Sequence, residues 1–318
     1  MAASLVPLLA AAGCITVNIP GPRGEGPLQE VTVSGEGADK VLVVDLSGVI
    51  IGETREGLFG LSVVPSTVDR VERQLDKAAE DDAVKALVLR INTPGGTVTA
   101  SDVLYHAVRR YKAKAKVPVI ACFLDLAASG GYYVAMASDE ILAHPTTITG
   151  SIGVIAQGLN VAGLFDKLGL QQQVVKSDRF KDLGSATRPP TPEERAIVQG
   201  IVDSMFARFL ATVETGRPKL TRDRVRALAD GRIFTADQAV ENGLVDRLGY
   251  MDDAVEAAKK RAGIERARVV FYVRPGQSKP AHLYAAAPAG DPSALGRDLL
   301  ARLSGEPGSY FLYLWPGF

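Results

Sequence analysis

Residues that usually advertise a chemistry are scarce in this chain. Its two cysteines, Cys14 and Cys122, stand too far apart for metal-ligand spacing and are too few for a disulfide framework. Its three histidines, His106, His144 and His282, are scattered, so a histidine-based metal site has no support. Neither sign of charge is in excess: 36 basic and 36 acidic side chains cancel, leaving no electrostatic bias toward nucleic acid. No internal repeat is visible, and no low-complexity tract interrupts the middle of the chain. The expectation is a protein with no cofactor, no metal and no nucleic-acid partner. What is present is a globular composition, 47% hydrophobic and 23% charged, over 318 residues, enough for one large domain or slightly more.

The chain opens on "MAASLVPLLAAAGCITVNI", apolar and uncharged, followed by the Gly- and Pro-rich "PGPRGEGPLQE". At roughly 18 apolar residues this is near the lower limit for a membrane span. It also resembles the apolar part of a secretory signal without the basic leading region. "AAAGC" is similar to the end of a bacterial lipoprotein signal, with Ala11 where leucine is usual, which makes Cys14 a lipidation candidate. Residues 1–38 are read as a signal, membrane-anchor or lipoprotein segment plus linker. The expected location is membrane-associated, on the extracytoplasmic side of a bacterial cell membrane.

From residue 39 the pattern alternates. "DKVLVVDLSGVI" reads as a buried strand, and "STVDRVERQLDKAAEDDAV" as an amphipathic helix with Ser66 placed to cap it. "KALVLRINTPGG" is a second strand running into a Gly-Gly turn, "TVTASDVLYHAVRRYKAKA" a second helix, and "VPVIACFLDLA" a third strand. "SGGYYVAMAS" begins a third helix, "EILAHPTTITGSIGVIA" is strand-like and broken by glycines, and "LFDKLGLQQQVVKS" returns to helix and then strand. This alternation implies parallel βαβ units. Residues 191–262 become helical, starting with Thr191 as cap, Pro192 in the first turn and Glu194 three residues after the cap. Residues 266–318 lose periodicity and gain Gly, Pro and Ala, and are read as a tail.

Chemistry is expected at strand ends, where open α/β sheets place ligand crevices. In "NTPGG", Gly95 and Gly96 would expose backbone N–H groups suited to an oxyanion hole, or form an ordinary Pro-Gly turn. In "AASGGYY", Ser129 is either a helix cap or a nucleophile, with the N–H of Gly130 aimed at the developing oxyanion. For a base, His144 carries no catalytic mark. A lysine at its ordinary pKa of ~10.4 is protonated and acts only where burial disfavours its charge; the candidates are Lys176 and Lys181.

The chain resembles the signal peptide peptidase A family on "INTPGG", "AASGGYYVAMASDEILAHPTTITGSIGV", "KSDRFKDLGSATRPPTPEE" and "DGRIFTADQAVENGLVDRLG", in family order over about residues 40–262. The resemblance implies a Clp-protease/crotonase-like α/β fold: a repeated ββα/βαβ core with parallel sheet, and a helical C-terminal part. The peptidase domain would span residues 39–265. It implies Ser129 as nucleophile, Lys181 as its base and Ser151 as the side chain orienting that lysine. Gly130 and the Gly95–Gly96 pair would be the oxyanion donors, with Gly96 preferred. Lys176 belongs to the preceding strand and is not the family's lysine. Two departures are Thr93 where serine is commoner, and the looser "SATRPP". The length is similar to the short, single-repeat members, implying a homo-oligomeric ring with active sites shared between subunits, and hydrophobic remnant signal peptides as substrates. Two other readings share the fold: a catalytically silent membrane-associated scaffold, and a crotonase-type acyl-CoA hydratase or isomerase.

Overall fold

The computed structural model describes residues 26–56, 63–64, 66–275, 277–285 and 311–317, so Cys14 and the apolar leader lie outside the described residues. In chain order the first half runs β1 (Gln29–Ser34), β2 (Lys40–Ser47), β3 (Arg55–Glu56), β4 (Val63–Val64), α1 (Thr67–Ala78), β5 (Val84–Thr93), β6 (Gly95–Thr97), α2 (Val98–Ala115), β7 (Val119–Ala128) and α3 (Gly130–Ala135). There follow β8 (Glu140–Ala143), β9 (Ile148–Gly150), β10 (Ile155–Ala156), α4 (Ala162–Leu168), α5 (Pro192–Gly216), α6 (Arg222–Leu228), β11 (Ile233–Thr235), α7 (Ala236–Glu241), β12 (Arg247–Leu248), α8 (Met251–Ala262), β13 (Arg268–Val273) and β14 (Phe311–Leu314).

The main sheet has the order β1-β13-β2-β5-β7-β8-β12, with β9 beside β7 and β11 beside β9. Its centre is parallel; β1 on β13 and β11 on β9 are antiparallel. Central parallel strands are covered on both faces and therefore read as unbroken apolar runs. In β2, Leu42, Val44 and Leu46 pack with Val71 and Leu75 of α1 and Leu104 and Val108 of α2. Val41 and Val43 face the other way, onto Met251, Ala254 and Ala258 of α8. Ser66 caps α1 by accepting the Asp69 N–H at 3.0 Å, a contribution of about 1 kcal/mol. One charged pair crosses the centre: Asp45 and Arg90 are register partners, and Arg90 Nε donates to Asp45 Oδ1 at 2.8 Å. The same guanidinium donates to the carbonyls of Leu283 and Ala285, fixing the chain past β13 to the sheet.

Four expectations need correction. The fold runs past both boundaries of the 39–265 domain: β1, in the segment read as linker, and β13, in the segment read as tail, join the main sheet, and β14 joins β6 and β10 in a smaller one. These short strands acquire partners only from remote segments, Val31 opposite Phe271 and Val269 beside Val41, which a local pattern does not contain. The segment 171–177 forms no strand, and Lys176 therefore belongs to none; Val174 and Val175 are exposed there, with no pleated surface among the described residues to pack on. Between α6 and α8 the glycine turns are accompanied by two short strands, β11 and β12. Gly95 and Gly96 open a strand, β6, rather than a turn.

Candidate active site

Three strands end side by side: Thr93 of β5 pairs with Ala127 of β7, and Ala128 of β7 pairs with Gly150 of β9. Ser129 is the first residue past β7. Its φ of 53° and ψ of −111° are unusual for a residue with a side chain, and the strand turns directly into α3. Its N–H donates to the Gly150 carbonyl at 2.8 Å and its carbonyl accepts the Tyr133 N–H at 2.8 Å, so the backbone is fixed on both sides. The hydroxyl is not. Ser129 Oγ is buried, has no hydrogen-bond partner and makes no capping bond to α3. Leaving a buried hydroxyl unpaired costs about 1–3 kcal/mol. A cap would have been satisfied, so the helix-cap reading of the side chain fails. A strained strand-to-helix turn that displays an unsatisfied hydroxyl is the geometry of a nucleophile elbow.

Ser151 repeats the turn one strand over: it follows Gly150, has φ 49°, is buried, and its N–H donates to the Arg232 carbonyl at 2.8 Å. The glycines supply the facing edge. The Gly95 N–H is taken by Thr93 Oγ1 at 3.1 Å, while the Thr93 hydroxyl donates to the Gly48 carbonyl. Ile50 N–H donates to the Gly95 carbonyl at 2.8 Å and Thr97 N–H to the Ile50 carbonyl at 3.0 Å. Because strand amides alternate sides, the Gly96 N–H faces away from Ile50, toward the edge shared with β14. Gly95 has φ 103°, and a Cβ on it would stand 2.8 Å from the Gly130 nitrogen, so any side chain would fill the space between the two glycines. Gly130, the first residue of α3, has no intrahelical acceptor for its N–H.

The structure brings Ser129, Ser151, Gly95, Gly96 and Gly130 together; Lys181 stands apart from them. Lys181 lies exposed in a turn, its N–H bonded to the Asp178 carbonyl at 3.2 Å, and its ammonium has no side-chain partner among the described residues. Ser129 Oγ being unpaired, the two do not bond within one chain. Lys176 is engaged otherwise, by Asp182 at 2.6 Å. Asp182 also accepts Arg188 Nε at 2.9 Å, and the same guanidinium donates to Glu194 at 2.8 Å. Hydrogen bonding to Arg188 holds the Glu194 carboxyl down at about 2, helped by the Thr191 N–H; Asp182 is lowered by Arg188 and Lys176. His144 packs edge-on against Tyr250 at 4.5 Å and pairs with Thr146, with no bond to Ser129. Among the described residues no cluster of His, Cys, Asp or Glu could hold a metal.

One part of the site escaped sequence reasoning. β14 completes a three-stranded sheet between β6 and β10, antiparallel to both. Its Tyr313 is fully buried, stacked on Tyr133 at 5.1 Å and tilted against Phe209 at 4.6 Å, with its hydroxyl donating to the Met205 carbonyl at 2.8 Å. The only signal was the run "YFLYLW" in a tail otherwise rich in Ala, Gly and Pro.

A parallel sheet with a displayed serine and glycine amides on the facing edge defines a serine hydrolase of the Clp-protease-like α/β class, and the Clp protease family profile matches residues 53–154. Within that class the chain belongs to peptidase family S49, whose profile matches residues 111–265, and is a serine peptidase. It is 39% identical to a protein of Enterococcus faecium carried under the name signal peptide peptidase SppA, over 77% of this chain and 70% of that protein. It is 34% identical to protease 4 of Salmonella typhi over 73% of this chain, and 31% identical to the chloroplastic serine protease SPPA of Arabidopsis thaliana over 77% of it. Those two matches span 36% of each longer relative.

Proposed function

We propose that the chain is a membrane-associated endopeptidase that hydrolyses short hydrophobic peptides, remnant signal peptides among them, with Ser129 as nucleophile and Lys181 as base. The observation that carries this reading is the buried, unpartnered Ser129 hydroxyl beside the Gly96 edge that β14 covers and the N–H of Gly130. Neutral Lys181 Nζ takes the hydroxyl proton as Oγ attacks the substrate carbonyl. The Gly96 and Gly130 N–H groups receive the oxyanion, each donor lowering the barrier by about 3 kcal/mol. The ammonium returns its proton to the leaving amine, giving an acyl-enzyme. Water then repeats the sequence in reverse, its proton passing through the same amine back to Ser129 Oγ. Ser151 orients the lysine.

Since neither Ser129 Oγ nor Lys181 Nζ has a side-chain partner among the described residues, we assign the completing lysine to a neighbouring copy in a ring-like homo-oligomer. The segment bearing Lys181 supports this: Leu164, Leu168, Leu170, Val175, Ile197 and Ile201 are all exposed around it. Apolar covering favours the neutral amine that a base requires. Membrane attachment rests on the apolar leader at residues 1–19. Among the described helices α5 is long and apolar enough to cross a membrane by length and composition, but its Phe209 and Val213 are buried in the core, so we read it as part of the peptidase body. Ser129→Ala and Lys181→Ala should each lower peptide hydrolysis at least ~10³-fold while leaving the fold intact by circular dichroism. Retained turnover in either would remove that residue from the mechanism.

A further inference from the structure

We propose that Asn92 and Thr147 are positioning residues for the nucleophile: their side chains hold a bulge at residues 124–126 of β7, and that bulge brings Ser129 level with the glycine amides. This rests on Ser129 being the nucleophile.

The bulge is visible in the sheet register. Ile91 of β5 pairs with Phe123 of β7 and Thr93 pairs with Ala127, so β7 takes four steps where β5 takes two. The shift coincides with a change of neighbour: β7 lies beside β8 from Ile120 to Phe123 and beside β9 from Leu126 to Ala128. Parallel strands rise about 3.3 Å per residue, so the two extra residues shorten the reach of β7 by about 7 Å. Were the register of Ile91 and Phe123 continued, Ala127 would stand level with Gly95, and Ser129 two residues beyond it. Counting on from Thr93 and Ala127 instead places Ser129 level with Gly95, whose Cβ, if it had one, would stand 2.8 Å from the Gly130 nitrogen. Bulges beside active sites re-aim side chains in this way.

A bulge disrupts the ladder, and the backbone groups it frees must find other partners. Asn92 meets one of them: its Oδ1 accepts the Leu126 N–H at 3.2 Å, and its Nδ2 donates to Asp125 Oδ2 at 2.9 Å. The backbone of Asn92 is anchored on its other side, where the Gly48 N–H donates to its carbonyl at 3.1 Å. Thr147 meets another from the β9 side: it is buried, and its hydroxyl donates to the Leu124 carbonyl. The Phe123 carbonyl, 3.1 Å from that hydroxyl, already accepts the His144 N–H at 3.0 Å. Neither side chain bonds Ser129 Oγ. Both act on the stretch of backbone that ends in it.

The test uses the full-length assembled protein and one peptide substrate. Thr147→Val keeps the shape and removes the hydroxyl; it should lower kcat by about 10²-fold with KM little changed, the cost of a nucleophile displaced by about 1 Å. Thr147→Ser keeps the hydroxyl and should restore most of kcat. Asn92→Asp sets a second carboxylate against Asp125 and should lose kcat likewise. Combined with Asp125→Asn it exchanges donor and acceptor, and kcat should return. A second measurement needs no turnover: the rate at which a fluorophosphonate labels Ser129 should fall and recover in the same order, with circular dichroism and assembly size unchanged. An unchanged kcat in Thr147→Val or in Asn92→Asp, a loss carried by KM, or a loss that the restoring variants leave in place overturns the proposal. Activity surviving in Ser129→Ala would instead overturn the nucleophile assignment, so the two failures are told apart.

Discussion

Ser129 and Arg90 are both polar and both buried, and they are treated in opposite ways. Arg90 has every direction answered, by Asp45, Leu283 and Ala285, whereas the Ser129 hydroxyl is given nothing. An answered charge holds the sheet together; an unanswered hydroxyl is, under the proposed function, kept for a substrate. Removing one member of a buried pair strands the other. Asp45→Ala is therefore expected to lose about 3–5 kcal/mol in urea unfolding, and Asp45→Leu combined with Arg90→Met to recover part of that loss. A single variant within about 1 kcal/mol of the parent would mean that the pair is solvated in solution.

At the scale of elements, the loop from Lys176 to Glu194 has no sheet to lean on and is held by Asp182, Arg188 and Glu194 instead. The Glu194 carboxyl, ordinarily near 4.5, is held at about 2 in the fold. A lowered carboxyl contributes while ionised, so its support is complete above the ordinary value and fades as pH falls toward the folded one. Amide hydrogens of residues 176–194 should exchange faster at about pH 3 than at neutral pH, relative to β2 and β5, and Glu194→Gln should remove that pH step. Equal relative protection at both pH values would count against the network. The capping box at Thr191 and Glu194 was legible in the sequence, as were the Ser66 cap and the long central strands, because each is encoded by neighbours within a turn or a run. That Ser129 stands between a strand and a helix was legible in the sequence; that the Ser129 hydroxyl is unpaired was not, since being left without a partner depends on everything around it. β1, β13 and β14 were illegible for a related reason: six or four residues become a strand only when a distant strand offers its edge.

For the whole molecule, the proposed nucleophile and base do not bond within one chain, and the proposed mechanism therefore predicts dependence on assembly. Mixing Ser129→Ala with Lys181→Ala should restore roughly a quarter of wild-type turnover, the statistical share of interfaces pairing an intact serine with an intact lysine. A mixture as inactive as its components would place both residues of a working site in one subunit. The clasp of Arg90 on Leu283 and Ala285 carries one more implication. It joins β5 to a segment 193 residues further along the chain. During synthesis the guanidinium waits without two of its acceptors until that late segment has emerged. The centre of the sheet is thus finished only when nearly the last described part of the chain returns to it.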